Sequence, residues 1–267
     1  MDRRIVTALL GRLWRQHRLA LAIVAFGVAM FEFVISRVAP LPGEAGFFGG
    51  LVALLPPDVS AFINDQLPLA TSRGVVALGY LHPFFLSLFS AWTIRVGVGA
   101  LGGEIGRGTM DVLAARPIPR WAIVGAAWLA IAIGLAVVAA AAWTSTTIGL
   151  RLRPLGVSGT DVWQLPVMTW LLFVAWAGVT LAISATRREA GPAIGWASGL
   201  IATSFVIEFL TRVWQPIAWM RPLSLFTYYR PQDIVRTGLG WIDPLVLGAV
   251  AVAGLVVAVV AFERRDL

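Results

Sequence analysis

The sequence has no cysteine, no lysine and only two histidines, His17 and His82. Each absence excludes a kind of chemistry. Without cysteine there is no disulfide, thiol nucleophile, iron–sulfur cluster or thiolate zinc site. Two histidines do not make a multi-histidine metal site. Without lysine there is no Schiff-base chemistry, and no Walker A nucleotide site, whose lysine lies on the phosphates. All 21 basic residues are therefore arginine. Charge of either sign is scarce, at 13% of residues, against about 25% in a water-soluble domain.

What is present is apolar: 58% of the 267 residues, with a mean hydropathy of +0.82. A soluble fold of this composition has too few polar groups to cover its surface. The chain reads as an all-α integral membrane protein, because a bilayer requires each backbone polar group to be satisfied within its own segment. The net charge of +7 then reads as attraction to an anionic lipid leaflet and not to nucleic acid.

Six runs have no charge or a single charge: residues 19–36 (containing Glu32), 74–94, 121–150, 162–186, 190–207 and 244–262. A hydrocarbon core of about 30 Å takes about 20 helical residues. The predicted spans cover about 19–36, 74–101, 121–150, 162–186, 190–211 and 244–262. The third is long enough to tilt or to extend past the bilayer. An even count puts both termini on one side. With the 2–3 and 4–5 connections, that side holds Arg3, Arg4, Arg12, Arg15, Arg18, Arg107, Arg116, Arg120, Arg187, Arg188, Arg264 and Arg265. The other side holds Arg37, Arg73, Arg151, Arg153, Arg212, Arg221, Arg230 and Arg236. Twelve against eight makes the terminal side cytoplasmic by the positive-inside rule. Trp92, Trp121, Trp143, Trp163 and Trp241 fall near span ends, where interfacial tryptophans gather. Five arginines within the first 18 residues do not suit a cleaved signal peptide, so a retained first span is expected.

Residues 1–18 read as an amphipathic helix lying in the membrane interface. Ile5, Val6, Leu9, Leu10, Leu13 and Trp14 recur on one face, and Arg4, Arg12, Arg15 and Arg18 lie on the other. A plain basic flank that fixes topology is the alternative. The rest of the chain, 19–267, is then one six-span domain.

The connection between spans two and three is the most distinctive stretch. Glu104, Arg107 and Asp111 share one helical face at spacings of three and four, with Ile105, Val112 and Leu113 opposite. Pro117 and Pro119 end that helix. On periodicity alone, a helix docking in a partner's groove and a solvated connector stand about level. The string Glu104-x2-Arg107-Gly108-Thr109-x3-Leu113-x3-Pro117-x2-Arg120 resembles the cytoplasmic signature of the type-2 ABC exporter permeases. The amphipathic start is similar to their elbow helix. Residues 223–231 resemble their external hairpin, and 262–267 their basic terminus. The resemblance covers essentially the whole chain.

That resemblance implies a transmembrane permease subunit driven by a separate ABC ATPase. Glu104, Arg107, Gly108, Thr109, Asp111, Leu113, Pro117 and Arg120 would form its cytoplasmic coupling helix. It implies two ATPase copies carrying ATP and Mg, no cofactor on this chain, and a homodimer or a second permease beside it. The location implied is a bacterial inner membrane. A stand-alone secondary transporter or channel remains open, as does a permease that transmits motion to an external partner.

Glu32, Arg95 and Glu208 are charges at or near membrane depth, where charge is costly. Glu208 has Arg212 one turn on, which favours a structural pair. Arg95 is expected to extend to the interface. Glu32 either lines a substrate path or reaches the interface. His82 reads as a packed polar residue. Gly97-x-Gly99-x2-Gly102 matches a dinucleotide fingerprint but lacks the preceding strand, so Gly99, Gly102, Gly103 and Gly106 are expected to allow close helix packing. Pro56, Pro57 and Asp58 suggest a short helix on the outer interface. Trp214, Trp219, Tyr228 and Tyr229 suggest a second interfacial segment, broken into short pieces by Pro216, Pro222 and Pro231.

Overall fold

The computed structural model describes residues 3–40, 46–57, 60, 71–110, 118–152 and 156–265. Among them are helices and no strand. Six helical stretches are long and apolar enough to cross a membrane: Ile5–Val38, Ser72–Gly106, Arg120–Arg151, Gln164–Thr186, Ala190–Val213 and Ile242–Glu263. They are spans one to six below. The end of the bundle that carries the termini is called proximal, the opposite end distal.

Span one belongs to a single helix, Arg3–Val38. No break separates the amphipathic stretch from the first span at residue 18, and no glycine or proline lies between Arg12 and Phe26 to make one. Leu9 is buried and Ile5, Leu10 and Leu13 pack on the core, while Trp14 and Arg15 stay exposed. Span three is likewise one unbroken helix.

Span two is made of pieces. Ser72–Leu81 starts on Thr71, whose Oγ1 accepts from the Gly74 N–H at 3.0 Å. It stops at His82, whose extended backbone (ψ 134) fits the residue before a proline. Pro83–Val98 then begins with His82 as its cap, Nδ1 accepting from the Phe84 N–H at 3.2 Å. Gly99–Gly103 winds as a wider π-type turn before a last helical turn, Glu104–Gly106.

Span one packs chiefly on span three, and span six on span four. Spans four and six cross at Gly178 and Gly254. A Cβ on Gly178 would stand 2.8 Å from the Ala251 carbonyl oxygen, and one on Gly254 2.6 Å from the Gly178 carbonyl carbon. Small residues let helices approach this closely where no hydrophobic force draws them together in lipid. Phe85, Phe89 and Phe173 form a ring stack at the centre, with centroids 5.0 and 5.3 Å apart. Trp121, Trp143, Trp163 and Trp241 are exposed at span ends as expected, but Trp92 is buried, its Nε1 donating to the Ile131 carbonyl at 3.2 Å.

Distal connections are short elements. Gly46–Ala53 is a helix that the sequence pattern does not mark. The expected helix after Pro57 falls mostly outside the described residues. Beyond span five come the 3₁₀ turns Gln215–Leu223 and Leu225–Tyr228 and the helix Pro231–Thr237. The stretch is in short pieces as predicted, with Pro216 and Pro231 at the starts of two of them, but Pro222 lies within Gln215–Leu223 and the next break falls at Ser224.

Candidate functional site

At the proximal end, Glu104 collects three side chains. Its Oε2 accepts from Arg12 Nη2 at 2.7 Å and from Thr109 Oγ1 at 2.8 Å, and its Oε1 accepts from Arg107 Nη2 at 2.7 Å. The carboxylate side chain is 7% exposed, while Arg12 and Arg107 are 43% and 53% exposed. A buried carboxylate is costly unless paired and hydrogen-bonded, and here both oxygens are met. The joint fastens span one to the connection that follows span two.

The chain turns sharply there. Arg107 and Gly108 form a turn, and Gly108 has φ +68, the left-handed region where glycine carries no Cβ penalty. The helical face expected through Glu104, Arg107 and Asp111 is therefore interrupted after its first pair. The Glu104–Arg107 contact forms as its three-residue spacing predicts. Asp111, Leu113 and Pro117 lie outside the described residues.

Two further ties close this end. Arg120, the last residue of the same signature, reaches the end of span six. Its Nη1 donates to the carbonyls of Phe262 (3.3 Å), Glu263 (3.1 Å) and Arg265. A cation at the carbonyl end of a helix meets orphan acceptors and the negative pole of the dipole. Arg265 Nη1 in turn donates to Ala185 and Arg187 carbonyls at 2.8 and 2.9 Å. Burial and the neighbouring Arg188 pull the Arg265 guanidinium below its usual pKa. Arg4 lies in the first turns of span one's helix, and Arg15 is exposed on it.

The π-type turn sits directly above the joint. Ser184 of span four serves it, accepting from the Gly102 N–H at 3.0 Å and donating to the Val98 carbonyl at 3.4 Å. A Cβ on Gly102 would stand 3.2 Å from Ser184 Oγ, and one on Gly106 3.6 Å from the Arg188 carbonyl. Of the four glycines expected to allow close packing, Gly102 alone is held this tightly; a Cβ on Gly99, Gly103 or Gly106 would meet ordinary van der Waals contacts at 3.8, 3.4 and 3.6 Å. His17 is buried beside Trp92 and the π-type turn, and both its ring nitrogens lack a hydrogen-bond partner.

The distal half holds a second polar group. Glu32 is 0% exposed, enclosed by the chain's own side chains. Tyr80 Oη lies 3.3 Å from Thr146 Oγ1, which donates to Glu32 Oε2 at 3.2 Å, and Glu32 Oε1 has no partner. Tyr229 donates to the Tyr80 carbonyl at 2.8 Å and lies 2.8 Å from Thr169 Oγ1. This bond has a local cause. In an unbroken helix the Tyr80 carbonyl would accept from the Phe84 N–H, which donates to His82 instead. Tyr229 supplies the missing donor, as broken membrane helices require. Tyr229 is thus a core residue, not the interfacial one expected. Its burial raises the phenol pKa well above the usual range, so it stays a neutral donor. Glu208 pairs with Arg212 at 2.8 Å, as its spacing predicted. Arg95 is exposed.

The fold defines a polytopic α-helical membrane protein, closed by ion pairs at its proximal end. The family model described as ABC-2 family transporter protein matches residues 70–267, and the chain belongs to that family. It is an ABC-type permease domain, a membrane transport component. The matched region begins just ahead of span two, so Arg12 and the helix of span one lie outside it. No curated protein matches the chain.

Proposed function

We propose that this chain is the membrane subunit of an ATP-driven exporter, powered by a separate ABC ATPase that docks at the proximal end around residues 104–120. The observation that carries the reading is the Glu104 joint. It places the exposed Arg107 and the Thr109 turn on the same carboxylate as Arg12 of span one. A push delivered at this connection then reaches spans one and two together. Asp111, Leu113, Pro117 and Arg120 complete the docking segment in this reading. ATP and Mg reside on two ATPase copies, since a chain without lysine has no Walker A site. A second permease, identical or related, completes the substrate path, and Glu32 belongs to that path. The membrane is a bacterial inner membrane. The twelve-to-eight arginine asymmetry supports cytoplasmic termini.

The test is charge reversal. Arg107→Glu, co-expressed with the ATPase, is expected to reduce co-purification and abolish export while membrane insertion persists. Arg73→Glu, an exposed distal change in the first turn of a helix, is expected to leave both intact. Normal ATPase binding and export by Arg107→Glu would overturn the docking assignment. Orientation is tested separately in this cysteine-free chain. Thr160→Cys should react with an impermeant maleimide from outside whole cells and Glu189→Cys should not; the reverse pattern places the termini outside.

A further inference from the structure

A cleft of about 380 Å³ opens in the distal half, between the break in span two and the end of span five. Ligand sites run from about 300 to 1,000 Å³. Its walls are apolar: Leu78, Leu81, Phe205, Phe209, Val213 and Phe226. Phe209 and Val213 are 61% and 57% exposed, so the cleft opens on the flank of a membrane-crossing helix, where acyl chains lie.

One end of the cleft is charged. Glu208 and Arg212 line it, and His82 joins them. Glu208 Oε1 accepts from Arg212 Nε at 2.8 Å, and Arg221 Nη2 stands 3.9 Å from the same oxygen. Thr227 donates to Oε2. Two guanidinium groups thus share one carboxylate, leaving a net single positive charge. Arg221 Nε is buried with no hydrogen-bond partner. Because His82 Nδ1 accepts from a backbone N–H, the neutral ring carries its hydrogen on Nε2, a further donor. Arg221 lies outside the cleft's lining, and its charge acts on the cleft through Glu208; an apolar slot ending at Arg212 and His82 with one positive charge in excess is complementary to an amphipathic anion.

We propose that this cleft binds an anionic phospholipid of the distal leaflet, its phosphate on Arg212, with the charge of Arg221 contributing across the shared Glu208 carboxylate, and one acyl chain along Phe205, Phe209 and Phe226. Charge complementarity selects the occupant. A zwitterionic lipid brings its own cation to a site that already has one in excess. The site is independent of the ATPase and of the direction of transport.

The experiment uses the absence of cysteine. Val213→Cys carries a bimane label in the cleft, and Val167→Cys carries one on span four as the reference. The full chain is placed in phosphatidylcholine nanodiscs containing brominated-chain phosphatidylglycerol or brominated-chain phosphatidylcholine at equal mole fraction. The expected result is that phosphatidylglycerol quenches the Val213 label with about fivefold higher apparent affinity, the ratio for one charge at a membrane surface. The Val167 label should show no preference. Arg221→Gln should bring the ratio near one, and Arg221→Lys should keep most of it. Unchanged quenching at Val167 shows that these variants are folded. Equal quenching by both lipids at Val213 would overturn the proposal. Loss of the preference on adding inorganic phosphate would assign the site to a soluble anion and overturn it too. Protection from both lipids in a dimeric particle would show that a second copy covers the cleft, which would likewise overturn it.

Discussion

Arg12 and Glu104 lie 92 positions apart in the sequence and 2.7 Å apart in space. Their contact ties the start of the first span to the end of the second. Arg12 is nearly half exposed, so screening holds the pair to about 1 kcal/mol or less. Its consequence should appear in coupling more than in stability. Within the proposed function, Arg12→Glu is expected to lower export several-fold, a larger effect than the fall in melting temperature from setting a like charge beside the buried Glu104 carboxylate. Adding Glu104→Arg should restore part of the loss. Export assays on the two single variants and the double variant decide it, and strictly additive losses would show that the pair does not transmit motion.

Tyr229→Phe tests the mend in span two. The change removes the donor to the Tyr80 carbonyl and the group beside Thr169. Single side-chain hydrogen bonds in membrane proteins average about 0.6 kcal/mol and reach about 1.7. Both hydrogen bonds of the hydroxyl disappear and a buried carbonyl is orphaned, so the expected cost is about 1–2 kcal/mol. It should appear as a lower melting temperature in detergent. Tyr228→Phe, which removes a hydroxyl from a half-buried neighbour, should leave the transition unmoved.

Glu32→Leu separates fold from function. The carboxyl is wholly buried, with one hydrogen bond and one unpartnered oxygen. Replacing such a group by an apolar side chain of similar size is neutral or stabilising. Thermal unfolding should occur at the same temperature or higher. If Glu32 serves transport, export by this stable variant should still fall. A lower melting temperature would mean that the Thr146 bond carries more stability than its 3.2 Å length implies.

What could be read from the sequence follows from how local each cause is. The bilayer imposes a length on every apolar run, so the six spans were visible and their ends shifted mainly where helices continue past the charge-free window. Glu208–Arg212 and Glu104–Arg107 are neighbours on a helix surface, and spacing alone found them. The stop and restart at His82–Pro83 was not read from the sequence, where one span over 74–101 is expected, although proline lacks an N–H and restricts its predecessor. The group that repairs it, Tyr229, lies 149 residues away, and no periodicity connects the two. The same holds for Arg120 at the end of span six and for Ser184 on the π-type turn. The continuity of Arg3–Val38 was legible in one respect: the sequence held no helix breaker where an elbow would bend.

The repaired break also sets an order of assembly. The Tyr80 carbonyl is synthesised 149 residues before the hydroxyl that satisfies it. At about 5–20 residues per second of translation, the interval is roughly 7–30 s. During that time the second span must enter the membrane with this acceptor held by water or by the insertion machinery. Spans three, four and five are all made before Tyr229 emerges, so the distal half of the bundle locks only after five of the six spans have been synthesised.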